Sequence, residues 1–356
     1  MLFSCAPRSG QPGGSAGRRV RGKVIDIHCH RECRQAGEMM REEAQKVGKA
    51  PLSIGNELTL QVNRRQLETI KPKMESVEER LADMDRMGVD VQAVSVAPYQ
   101  TFYWAEPELG AEVSRIVNDD LAEFVAGHPD RFVGLGTVPL QHTDLAVAEL
   151  RRCVDQLGFR GVEIATNVEG EELSSSRLRP FWAAVEELDV LVFVHPVGFT
   201  QPERFRHHYF INILGHPLEN TLAIANLIFG GVMEDHPALK IVVAHGGGYL
   251  PAYPGRMDHA YRAREDVREG LPSLPGEYLK RFYFDTMVFE PDQVRFLVDR
   301  YGADHVLLGT DYPYDMGEQD PLGLIDRVPG LTEEEKAAIA GGNAARLLGL
   351  GGGSDA

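Results

Sequence analysis

Two histidines separated by one residue, His28 and His30, close the apolar run Val24-Ile25-Asp26-Ile27. Imidazole is the commonest side-chain ligand for zinc and its neighbours, and a spacing of two on an extended chain puts both rings on one side and Cys29 on the other. A pair alone holds no catalytic metal, which takes about three or four protein donors. The chain supplies further candidates at the ends of later apolar runs: His195 in Phe193-Val194-His195-Pro196, His245 in Val243-Ala244-His245-Gly246, and Asp311 in Leu308-Gly309-Thr310-Asp311-Tyr312-Pro313. His28, His30, His195 and Asp311 form a nitrogen and oxygen set suited to one divalent ion. Zn²⁺ is the expected occupant, Mn²⁺ and Fe²⁺ are compatible, and a position is left for water or substrate.

These residues can meet only if the elements carrying them converge. Short β-branched runs recur at 24–28, 91–96, 132–137, 161–165, 190–195, 241–245, 282–285 and 306–309, each continuously apolar as a strand buried on both faces must be. Between them, helical spacing appears at 106–127, 142–158, 177–189, 218–235, 291–301 and 331–348. Ser76-Val77-Glu78-Glu79 has the capping-box pattern, and the helix it starts runs to a stop at Met87-Gly88. Strand–helix alternation repeated eight times predicts an α/β fold, a distorted (β/α)₈ TIM barrel in one domain over 23–350 with a segment inserted near the N-terminus. In such a barrel chemistry gathers at the carboxyl ends of the strands, where all five candidates fall. A doubly wound sheet is the other arrangement of this alternation, but Gly246-Gly247-Gly248 is not its GxGxxG fingerprint. Segments 31–75 and 196–217 exceed ordinary connections and are expected to cover the active-site face.

The 356 residues, 43% hydrophobic and 25% charged, suit a soluble globular chain with a large core. No apolar run approaches the ~18 residues of a membrane span. A net charge of -16 argues against a duplex nucleic-acid partner, though a pocket in an acidic protein can still be locally positive. Four scattered cysteines lack the paired spacing of a structural zinc site and fit a reducing, cytoplasmic setting. Residues 1–22 read as a disordered extension and 351–356 as a flexible tail.

The four motifs, in this order, resemble the amidohydrolase superfamily, most closely its decarboxylase branch typified by 2-amino-3-carboxymuconate-6-semialdehyde decarboxylase. The likeness extends to non-catalytic text at 131–141, 157–168, 229–241 and 342–350. It implies a mononuclear metal on His28, His30, His195 and Asp311, with His245 as general acid/base rather than ligand. It also implies that Arg256 binds a substrate carboxylate in the neighbouring subunit of a homodimer. Catalytic roles are therefore expected of His245, Asp311 and Arg256. The expected activity is non-oxidative decarboxylation of a small unsaturated or aromatic carboxylic acid, with hydrolysis or hydration of a carboxylated ring, lactone or amide as the alternative use of the same site.

Strand four carries no lysine to bridge a second metal; Glu163 stands there, and a structural role is expected of it. Two departures alter where a substrate would sit. Glu68 replaces a carboxylate-binding arginine, with Arg64 and Arg65 out of register, and Val197 replaces an aromatic residue. His207, His208, His216 and His259 are further candidates for substrate contact. His128, His236 and His305 precede strands and are read as structural.

Overall fold

A computed structural model describes residues 20–48, 55–199 and 202–350. The expected tail at 351–356, and all but residues 20–22 of the expected extension, lie outside the described residues. Among the described residues ten strands occur in chain order: β1 (Ile25–Arg31), β2 (Val91–Val96), β3 (Phe132–Gly136), β4 (Gly161–Ala165), β5 (Asn167–Val168), β6 (Glu171–Glu172), β7 (Leu191–His195), β8 (Lys240–Val243), β9 (Tyr283–Asp285) and β10 (Val306–Leu307). All but the small β5–β6 hairpin form one eight-stranded sheet in the order β1-β2-β3-β4-β7-β8-β9-β10, with every pairing parallel. The ring is closed by the stretch after β10. Ile27 N–H donates to the Leu308 carbonyl at 3.0 Å, Asp311 N–H to the His28 carbonyl at 2.7 Å, and His30 N–H to the Tyr312 carbonyl at 2.8 Å. The barrel is the expected one.

Helices cover its outside. The segment expected as a long connection before β2 contains α1 (Arg34–Lys46) and α2 (Glu57–Glu75), followed by α3 (Val77–Met87). Ser76 caps α3 by accepting the Glu79 N–H at 3.3 Å, and Gly88 ends it in the left-handed conformation at φ 72°. Then come α4 (Pro107–Gly127), α5 (Thr143–Asp155), α6 (Arg179–Glu187) and α7 (His216–Phe229). α7 starts two residues before the expected point, because Pro217 suits a first helical turn, and it breaks at Gly230-Gly231. The helix expected over 331–348 is interrupted by a π-helical turn, Ala338–Gly342.

The core has two layers. Ile25, Ile27, Leu135, Leu191, Phe193, Val242 and Leu307 fill the barrel interior, while a larger cluster lies between strands and helices. β1 crosses from one layer to the other. Asp26 pairs with Gln92 but Cys29 pairs with Val94, so one extra residue lies between Asp26 and Cys29. This bulge switches the pleat: Ile25 and Ile27 belong to the inner cluster, whereas Cys29, of the same parity, belongs to the outer one. Both histidines are thereby left facing the mouth.

The π-helical turn packs against the start of β1. A Cβ built on Gly341 would stand 1.9 Å from the Lys23 carbonyl oxygen, a backbone atom with little room to retreat. Gly341→Ala is expected to lower the unfolding free energy by ~1–3 kcal/mol through overpacking, read as a shift in the denaturant midpoint.

Candidate metal centre

β1, β7 and the turn after β10 deliver four side chains to one point at the mouth. The nearest ligand atoms of His28, His30, His195 and Asp311 all lie within 4.8 Å of one another, and all four residues are buried. Nε2 of His28 and Nε2 of His30 are 3.1 Å apart, and each is 3.3 Å from Oδ1 of Asp311. His195 completes the group, its ring 5.0 Å from that of His28 and 4.8 Å from that of His30. Neither nitrogen of His195, nor Oδ1 of Asp311, has a hydrogen bond among the described residues. Buried polar atoms are rarely left so, and a cation at their centre accounts for Asp311 Oδ1 and for one of the two His195 nitrogens.

The outward-facing nitrogens are held. Asp285, the last residue of β9, accepts from His28 Nδ1 at 2.6 Å, which turns the Nε2 lone pair inward. Its other oxygen accepts the Gly246 N–H at 2.8 Å, tying the His245 turn to the same carboxylate. His30 Nδ1 faces Ser95 Oγ at 3.2 Å, the Val96 carbonyl at 3.4 Å and Glu163 Oε2 at 3.6 Å. Glu163 thus backs a histidine rather than facing the metal position. Burial pushes its carboxyl up to about 8, against the Ser95 hydrogen bond, so it carries a proton near neutrality.

Below this layer Asp26 accepts four hydrogen bonds: from His28 N–H at 3.1 Å, Thr310 N–H at 3.0 Å, Thr310 Oγ1 at 2.6 Å and Gln92 Nε2 at 3.0 Å. Arg80, 1% exposed, donates to Gln92 Oε1 and to the His30 carbonyl and lies over the Tyr312 ring. The first strand and the last are fastened together beneath the site.

The electrostatics favour a positive charge here. Burial alone would lower His28, but the Asp311 and Asp285 carboxylates outweigh it and push the ring up to about 10. Burial drives His30 down to about 4 and His195 well below its ordinary value. Burial would raise Asp311, yet the surrounding histidines, His28 foremost, hold its carboxyl well below the usual range.

His245 stands beside this set, its Nε2 3.9 Å from Asp311 Oδ2 and its ring 5.1 Å from that of His195. Its φ of 55° and that of Asp311, 53°, are left-handed, a strain more often met at functional sites than elsewhere. His216 stacks on His245 at 5.9 Å, and burial pushes its imidazole down to about 3, leaving the ring uncharged.

Arg256 lies elsewhere. It is exposed on the helix Pro254–Ala263, and its guanidinium makes no hydrogen bond or ion pair among the described residues. With Phe229, Leu250, Tyr253 and Met257 it lines a cavity of about 530 Å³ that none of the four metal-centre residues lines. Glu68 is exposed on α2, His207 meets Asn56 at 3.2 Å, and His208 and His259 are exposed. His236 pairs with Glu186 at 3.0 Å and His305 bonds the Phe282 carbonyl at 2.8 Å, both structural as expected. Asp285 and Asn220 are site residues that the motifs did not single out. The strand-end position of Asp285 was the available signal; for Asn220, mid-helix, there was none.

A parallel eight-stranded barrel with three histidines and an aspartate at its carboxyl-end mouth defines a barrel with a divalent-metal site. The chain belongs to the amidohydrolase family, whose profile matches residues 25–350. It is 38% identical over 272 residues, 76% of each chain, to the 2-amino-3-carboxymuconate-6-semialdehyde decarboxylase of Dictyostelium discoideum. It is 33% identical over 260 residues, 66% of this chain and 77% of the relative, to the gamma-resorcylate decarboxylase of Rhodococcus jostii. Among solved structures, 5-carboxyvanillate decarboxylase from Sphingomonas paucimobilis superposes with a TM-score of 0.79 at 25% identity, covering 92% of this chain and 98% of the other.

Asp285→Asn keeps the side chain's shape but removes the charge behind His28. Metal affinity is expected to fall roughly 10- to 100-fold, measured as metal retained against a graded chelator.

Proposed function

We propose that this protein is a metal-dependent, non-oxidative decarboxylase of a small aromatic or unsaturated carboxylic acid. The observation that carries the reading is the buried donor set of His28, His30, His195 and Asp311 with an unligated histidine, His245, beside it. Decarboxylase relatives on the same barrel support it. Three imidazoles and one carboxylate suit Zn²⁺ best, and the set also accepts Mn²⁺ or Fe²⁺. When bound, the ion supplies Lewis acidity for a substrate oxygen and anchors the acid.

The chain's own residues do the rest. The bond between carbon and carboxylate breaks, CO₂ leaves, and a proton takes its place on the carbon, so atoms and charge balance. His245 is the group beside the metal position whose ring can handle that proton. Asp311 holds its carboxylate towards three histidines and keeps the ion in place. Arg256, with a free guanidinium on an exposed helix beside an apolar cavity, is suited to bind a carboxylate in a neighbouring copy of the chain by paired hydrogen bonds. The assembly we assign is a homodimer. The buried free thiols Cys29, Cys33 and Cys153 support a reducing, cytoplasmic setting. Among the described residues no helix is long and apolar enough to cross a membrane.

The reading is tested by incubating metal-loaded enzyme with muconate-like and hydroxybenzoate-like acids and measuring CO₂. Products that retain every carbon would instead mark a hydrolase or hydratase. His245→Ala is expected to keep its metal and lose about 10²-fold or more in turnover. Mixing Arg256→Ala subunits with His245→Ala subunits should restore part of the activity, because one kind of site in the mixed dimer then has both groups intact. No recovery would place Arg256 in its own subunit's site, and full activity of Arg256→Ala alone would place it outside the reaction.

A further inference from the structure

We infer that Asn220 fixes His245 as its Nε2–H tautomer, so that the ring enters turnover as a hydrogen-bond donor to the metal centre. The inference rests on the reading above, in which His245 serves the reaction.

The first turns of α7 grip the loop that carries His245. His216 and Asn220, four residues apart and so on one helix face, both meet the His245 ring, His216 by stacking at an interplanar angle of 27°. Thr221 Oγ1 accepts the Tyr249 N–H at 2.9 Å. The Pro217 carbonyl lies so close to Gly248 that a Cβ there would stand 1.9 Å from its oxygen.

Within this grip the Asn220 amide can face only one way. The atom 2.7 Å from the Ala244 carbonyl must be the NH₂, because a carbonyl oxygen only accepts. Turned over, Oδ1 would confront that oxygen at the same distance. The same NH₂ stands 3.2 Å from His245 Nδ1, and it has a second hydrogen to give. Asn220 Oδ1 is buried without a partner, so the whole of the side chain's bonding here runs through its NH₂. A nitrogen that receives a hydrogen bond presents a lone pair. A ring with one proton therefore holds it on Nε2, the nitrogen 3.9 Å from Asp311 Oδ2.

The consequence is chemical. A carboxylate behind a histidine takes Nδ1–H and leaves Nε2 free as a base, as in serine-protease triads. An amide NH₂ in that place does the reverse. Neutral imidazole is a competent donor to an oxygen on which charge develops. Asn220 is a positioning residue for the His245 ring.

The test uses ¹⁵N-labelled, zinc-loaded enzyme, which is diamagnetic, and long-range ¹H–¹⁵N spectra of the histidine rings. Signals of His245 are assigned by their loss in His245→Gln. The wild type is expected to show a protonated Nε2 and a lone-pair Nδ1. Asn220→Asp, equal in size but with no donor, is expected to move the proton to Nδ1. Its kcat should fall about 10²-fold with KM changed by less than about twofold and metal content unchanged. Asn220→Ala should show both tautomers. A wild-type ring protonated at Nδ1, or an Asp variant that keeps Nε2–H, overturns the inference. If Asn220→Asp does not fold, the wild-type and Asn220→Ala spectra decide it. An Nε2–H ring in an enzyme that releases no CO₂ from any acid would reject the decarboxylase reading and still support this assignment.

Discussion

At the mouth of this barrel more lone pairs meet than there are protons to separate them. Asp311 Oδ1 faces Nε2 of two histidines at 3.3 Å, those nitrogens face each other at 3.1 Å, and both nitrogens of His195 are buried without a hydrogen bond. In a low-dielectric interior such an arrangement is unfavourable unless a positive charge sits among the acceptors. The rest of the molecule follows from keeping these groups together. Four donors from three strand ends reach one small volume because the strands run parallel and close into a ring, so that all their carboxyl ends share one mouth.

The backs of the ligands are as determined as their fronts. Asp285 joins His28 to the His245 turn through its two oxygens, and Ser95 and Glu163 stand behind His30. Asp26, Thr310, Gln92 and Arg80 tie β1 to the stretch after β10 below them. Each charge-assisted hydrogen bond of this kind contributes about 1.5–3 kcal/mol net, and removing one partner leaves a buried group unsatisfied. These groups serve the metal centre and the closure of the barrel together. A change that loosens one is felt by the other.

The candidate groups divide over three places. The metal donors sit on β1, β7 and the loop after β10, His245 on a strained turn after β8, and Arg256 on an exposed helix away from both. α7 connects the first two, because its opening turns hold the His245 loop by a hydrogen bond, a ring stack and a close backbone approach.

The eight apolar runs, their alternation with helices and the polar residues at their ends determined the barrel and its four metal donors, because a strand buried on both faces and a helix with one wet face leave different periodicities in the chain. The alternation also placed His28 and His30 on one side and Cys29 on the other. Which side faces the barrel was decided by the bulge between Asp26 and Cys29, a matter of register with β2 that residues 24–30 do not record. The close approach of Gly341, in the π-helical turn after Ala337, to the Lys23 carbonyl is likewise a matter of packing across the chain. Asn220 lies 25 residues from His245 and in an ordinary helix. Its part, like that of Asp285 behind His28, exists only once the chain has folded, since a hydrogen-bond partner chosen across the barrel leaves no spacing in the sequence.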